Sequence, residues 1–74
     1  MGISMEQIEE RLKKAFPGAD ILVSGDGTHF EARILATQFQ NLSKIKQHQA
    51  VMQVFDTELK SGELHALSLK TMPK

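Results

Sequence analysis

Apolar positions near the start of the chain follow a helical period. Met5, Ile8, Leu12, Ala15 and Phe16 fall on one stripe at steps of three and four. This spacing predicts a helix over residues 4–16. Ser4 and Gln7 form a capping-box pattern in which each side chain satisfies a free backbone donor of the first turn. Acids come early (Glu6, Glu9, Glu10) and bases late (Arg11, Lys13, Lys14), as the helix dipole favours. Pro17-Gly18 then stops the helix.

Over residues 19–36 the period changes to two, and the pattern predicts a β-hairpin turning at Gly25-Asp26-Gly27. A two-residue loop (Asp26-Gly27) or a four-residue loop (Gly25 to Thr28) gives one register. It sets Ser24 opposite His29, Val23 opposite Phe30, Leu22 opposite Glu31, Ile21 opposite Ala32 and Asp20 opposite Arg33. One face is then apolar: Ile21, Val23, Phe30, Ala32 and Ile34. The other carries Asp20, Ser24, His29, Glu31 and Arg33, with an Asp20–Arg33 pair within reach. His29 points away from the core.

Residues 37–42 form a connector, and the helical period returns over 43–60. Ser43 or Asn41 is positioned to cap the start. The expected stripe is Ile45, His48, Met52, Phe55 and Leu59, widened by Val51 and Val54. Gly62 is placed as a left-handed C-cap. Residues 64–72 read as a third strand, with His65, Leu67 and Leu69 on one parity and Ala66, Ser68 and Lys70 on the other.

Three amphipathic units bury their apolar faces most simply as two helices on one side of a three-stranded sheet. The long strand–helix–strand crossover favours a third strand parallel to the second. His29 and His65 would then begin parallel neighbours and lie at the same end of the sheet. Their parities differ, however: His65 shares the inward parity of Leu67 and Leu69. A shared site therefore needs an irregular loop or an ion held beyond the strand ends.

Composition narrows the function classes. The chain has 74 residues, 41% of them hydrophobic, and no cysteine. Without repeat, linker or low-complexity stretch, residues 1–74 read as a single domain. A domain of this size buries only about 60% of the surface of its unfolded chain. It has room for one small core and a surface site, so no enzyme is expected. Nine basic and nine acidic residues balance, which offers no overall steering toward polyanions. No apolar run approaches the roughly 20 residues that span a bilayer, and no signal-peptide pattern is present. A cytoplasmic location, with no membrane partner, is the expectation.

Imidazole is a common metal ligand, but two histidines are too few to close a tetrahedral site, and no thiolate is at hand. A second chain or a small thiol would have to supply the rest. The plainer reading of His29 is a solvated residue after a turn. That of His65 is a half-buried strand-end histidine, and that of His48 a packed or rim histidine of the second helix. Gly25-Asp26-Gly27 lacks the third glycine and following helix of a dinucleotide site. Lys44, Lys46 and Lys60 give the second helix positive charge, and Lys44, Lys46 and His48 are the candidate nucleic-acid or partner contacts. No aromatic residue interleaves with them, as base stacking would need.

Three segments, VSGDGTHFEARI (23–34), FQNLSKIKQHQAV (39–51) and LHALSLKT (64–71), resemble the BolA-like family, closest to its short bacterial branch. The resemblance runs from about Met5 to Met72. It implies an α+β fold of order α-β-β-α-β, similar to a type II KH domain without its Gly-x-x-Gly loop. The three-stranded sheet would be mixed, with the helices packed on one face. It also implies binding rather than catalysis: an adaptor that pairs with a monothiol glutaredoxin in iron–sulfur cluster assembly, trafficking or iron homeostasis. In such pairs the glutaredoxin and glutathione supply thiolates to a [2Fe–2S] cluster and the BolA-like chain supplies histidine. The C-terminal family histidine falls on His65, and the His-or-Cys position of the first hairpin falls on His29. No cluster is expected to bind the isolated chain tightly, and the chain alone is expected to be a monomer or weak dimer. Asn41, Gln47 and Met52 stand where many members have glycine, a basic residue and tyrosine. The alternative that the resemblance carries is a KH-like nucleic-acid-binding transcriptional regulator.

Overall fold

The capping box forms at the first helix. The Ser4 N–H donates to Gln7 Oε1 at 2.8 Å and the Gln7 N–H to Ser4 Oγ at 3.2 Å. Helix α1 runs Met5–Ala15 and buries Ile8 and Leu12 completely. The computed structural model describes residues 2–26, 29–64 and 66–74. His65, Gly27 and Thr28 lie outside the described residues. After α1 come β1 (Asp20–Gly25), β2 (His29–Ala36), a 3-10 turn (Thr37–Phe39), α2 (Lys44–Val54), α3 (Asp56–Ser61) and β3 (Ala66–Pro73). The sheet has order β1-β2-β3, antiparallel between β1 and β2 and parallel between β2 and β3, as the crossover predicts. No helix among the described residues is long and apolar enough to cross a membrane.

The hairpin keeps its predicted faces but shifts its register by two residues. Gly25 lies opposite Phe30, Ser24 opposite Glu31 and Leu22 opposite Arg33. The reason lies at the turn. The His29 N–H donates to Asp26 Oδ1 at 2.9 Å, and the Asp26 N–H donates to the His29 carbonyl at 3.2 Å. These two bonds tie Asp26 to His29 at the hairpin end of the sheet. A shift of two leaves every side chain on its own face, because the strand period is two. It does dissolve the expected Asp20–Arg33 pair: Asp20 lies opposite Leu35 and pairs with Lys74 at 3.4 Å. Gly25 answers to close approach, since a Cβ there would stand 2.4 Å from the His29 carbonyl oxygen.

The expected second helix is two helices. Phe55 leaves helical geometry at φ −112°, ψ 21°, which ends α2 and starts α3. The break seats the Phe55 ring fully in the core and frees the Val54 carbonyl, which accepts from Arg11 Nη2. The Arg11 guanidinium lies 5.0 Å from the centre of the Phe55 ring and pairs with Glu58. One α1 side chain thus clamps both sides of the break. Ser43 is the N-cap, accepting from the Lys46 N–H at 3.2 Å, and Gly62 is the left-handed C-cap at φ 84°. Asn41 instead takes a left-handed backbone at φ 67°, a conformation that glycine and asparagine tolerate.

The inward stripe of α2 also differs from expectation. Gln47, Val51 and Phe55 are buried, whereas Ile45 is 71% exposed and Met52 37%. A polar partner set inside the fold rotates the helix. Gln47 Oε1 accepts from Thr71 Oγ1 at 2.7 Å, and Gln47 Nε2 donates to the Leu42 carbonyl at 2.9 Å. With its amide satisfied, Gln47 occupies a core position at little cost, and Ile45 on the opposite side of the helix is turned to solvent. The core then joins Ile8, Leu12 and Phe16 of the first segment to Val51, Phe55 and the inward row of β2: Phe30, Ala32, Ile34 and Ala36. Both main helices cover this one face of the sheet.

Candidate functional site

His29 opens β2 at the hairpin end of the sheet, and its side chain is 73% exposed. Its backbone is held from both sides by Asp26, through the two hydrogen bonds that close the turn. The Asp26 carboxylate also stands 4.0 Å from His29 Nδ1. The imidazole is thus presented to solvent from an anchored position. Beside it, Ser24, Gly25, Asp26, Phe30, Glu31 and Ser68 complete a shallow depression of 340 Å³.

The parallel ladder sets Ala66 directly opposite His29. Its sequence neighbour His65 lies outside the described residues, so the ladder documents the approach of the two segments through Ala66. Leu67 and Leu69 are half-buried on the helix-covered side, as their parity predicts. Among the described residues no group of three or more His, Cys, Asp or Glu side chains could hold a metal ion. An exposed imidazole in a cysteine-free chain suits a shared site. It can add a neutral nitrogen donor to an ion or cluster whose remaining ligands come from elsewhere.

The other candidates separate. Lys44 Nζ donates to the Thr71 carbonyl of β3, so its ammonium is engaged within the fold. Lys46 is exposed, and His48 is half-buried on the flank of α2. All four phenylalanines are core residues: Phe16, Phe30, Phe39 and Phe55 are between 0% and 7% exposed. With no Trp or Tyr in the chain, no benzenoid or indole ring is left at the surface for base stacking.

Sequence reasoning passed over Asp26 as the residue that orients His29, treating it as turn chemistry only. The Asx-type pattern, an Asp three residues before the histidine, was the available signal. It also passed over Leu22, Leu35 and Met72, which are apolar at outward parity and are 59%, 37% and 54% exposed.

The sequence model described as "BolA-like protein" matches residues 4–74. The chain belongs to the BolA-like family. A protein of Acinetobacter guillouiae encoded in the rpoN-murA intergenic region is 38% identical over 72 residues, covering 97% of this chain and 87% of that one. The acid stress protein IbaG of Escherichia coli K12 is 30% identical over 64 residues, covering 86% of this chain and 76% of that one. The solved BolA domain of SufE1 from Arabidopsis thaliana superposes with a TM-score of 0.85 at 32% identity, covering 99% of this chain and 94% of that one. The α+β fold read from the sequence is the family fold.

Proposed function

We propose that this protein is a non-catalytic adaptor that binds a monothiol glutaredoxin and lends His65, joined by His29, to a [2Fe–2S] cluster. The glutaredoxin and its glutathione supply the thiolates. The observation that carries this reading is the parallel register, in which His29 stands opposite the residue that follows His65. Membership of a family whose relatives include the BolA domain of SufE1 supports an iron–sulfur role at the coarse level. Imidazole in place of thiolate raises the potential of such a cluster, as in Rieske-type centres. That chemistry gives a cysteine-free chain a way to alter a cluster it does not hold alone. Asp26 serves the site by fixing where the His29 backbone, and so its ring, can go.

Mixing the protein with cluster-loaded monothiol glutaredoxin tests the proposal. The visible absorption and circular dichroism are expected to change on mixing and to revert toward those of the glutaredoxin alone with His65→Ala. A smaller change is expected with His29→Ala. Unchanged hybrid spectra in His65→Ala would overturn the ligand assignment.

A further inference from the structure

The face of the sheet turned away from the helices carries a second feature, at the end opposite His29. Register places two rows of side chains side by side across the three strands. One row is Leu22, Arg33 and Lys70; the next is Asp20, Leu35 and Met72. Together they line a groove of 450 Å³. Its apolar walls are Leu22, Leu35 and Met72, all exposed. Its charged members are two cations and one carboxylate. Asp20 is paired with Lys74 at 3.4 Å and Lys70 with Glu31 at 3.4 Å, both at the surface. Arg33 makes no ion pair among the described residues. It sits in the middle strand, between Leu22 and Lys70 and two residues from Leu35.

Three apolar side chains around a central guanidinium define a binding surface with a sign. We propose that this groove docks a short acidic–apolar segment of a partner protein, with one or two aliphatic side chains against Leu22, Leu35 and Met72 and a carboxylate on Arg33. Arg is suited to this because its planar fork takes a carboxylate with two parallel hydrogen bonds. Strands about 4.8 Å apart make the groove roughly 10 Å wide, the length of three or four extended residues. A second copy of the chain fits less well. Two-fold stacking would bring the Arg33 and Lys70 cations toward their own copies. Three apolar residues also fall far short of the roughly 800 Å² per partner that a stable dimer buries.

Along β2, Arg33 in the near row of the groove is four residues from His29 and Leu35 in the far row six, about 13 and 20 Å at roughly 3.3 Å per residue. A segment bound here leaves the hairpin end open. The proposal stands independently of the cluster reading, and it is tested without glutaredoxin or iron.

The probe is a displayed library of random 12-residue peptides selected on the full chain. Recovered peptides are expected to place Leu, Met or Ile next to Asp or Glu. On titrating a recovered peptide, the methyl resonances of Leu22, Leu35 and Met72 are expected to shift while that of buried Val51 stays in place. Affinity is expected to fall at least tenfold with Arg33→Glu and with the double variant Leu22→Ser/Met72→Ser, and to be unchanged with His29→Ala. The proposal is overturned if no peptide is recovered, if the recovered peptides are basic or uncharged, or if the methyl shifts fall elsewhere. It is also overturned if the same methyls shift with protein concentration alone, which would assign the groove to a second copy. Because the methyl map uses the unaltered chain, it does not depend on how well any variant folds.

Discussion

The two faces of the sheet use the same strands for opposite ends. On β2, Phe30, Ala32, Ile34 and Ala36 are buried under the helices, while His29, Arg33 and Leu35 alternate with them into solvent. The covered face holds the fold together through its buried apolar side chains. The open face contributes little to stability and carries the groups with unmet chemistry: an imidazole at one end, and a guanidinium among aliphatic side chains at the other. A strand period of two is what lets one eight-residue strand serve both purposes. The same period protects the arrangement, since the two-residue register shift moves neighbours without moving any residue to the wrong face.

Substitutions on the two faces should differ widely in energetic cost. The largest effect is expected on the covered side, at Phe55→Ala. It removes a fully buried ring and the surface on which Arg11 rests. A loss of about 3–5 kcal/mol is typical for such a truncation and is comparable to the whole stability a core this small supplies. Circular dichroism at 25 °C should show a largely unfolded chain. Thr71→Val should cost less, about 1–3 kcal/mol, because it leaves the buried Gln47 Oε1 without its donor at nearly constant volume. A urea titration should show a lower midpoint with an unchanged slope. The smallest effect belongs to the open face. Leu22→Ser should move stability by no more than about 0.5 kcal/mol, as for ordinary surface sites. A loss above 2 kcal/mol there would show that the open face is structural and break the contrast.

Local signals carried far in the sequence. The Ser4–Gln7 capping box, the inward stripe Ile8–Leu12–Phe16 and the Gly62 cap are all set by residues a few positions apart, and each was legible. The parallel placement of β3 followed from crossover geometry. What escaped depends on contacts between distant segments. The rotation of α2 needs Thr71 to meet Gln47, residues that no helical pattern connects. The break at Phe55 needs Arg11, from α1, to donate to the freed Val54 carbonyl. The hairpin register goes with the bonds between Asp26 and His29, one of them to the Asp26 carboxylate, which alternation does not show. At the candidate site, the outward direction of His29 was legible from alternation. Its anchoring by Asp26 and the end-to-end separation from the Arg33 groove required the three-dimensional register.

The adaptor proposal requires that histidine nitrogen from this chain enter a cluster held jointly with a glutaredoxin. Its most direct test labels only this chain's histidines with ¹⁵N, forms the mixed species with cluster-loaded monothiol glutaredoxin, reduces it and records pulsed electron paramagnetic resonance. A ¹⁵N coupling of directly bound imidazole is expected, weakened by His65→Ala and lost when His29→Ala is added. A reduced cluster in the mixed species with no ¹⁵N coupling from the labelled chain would contradict it.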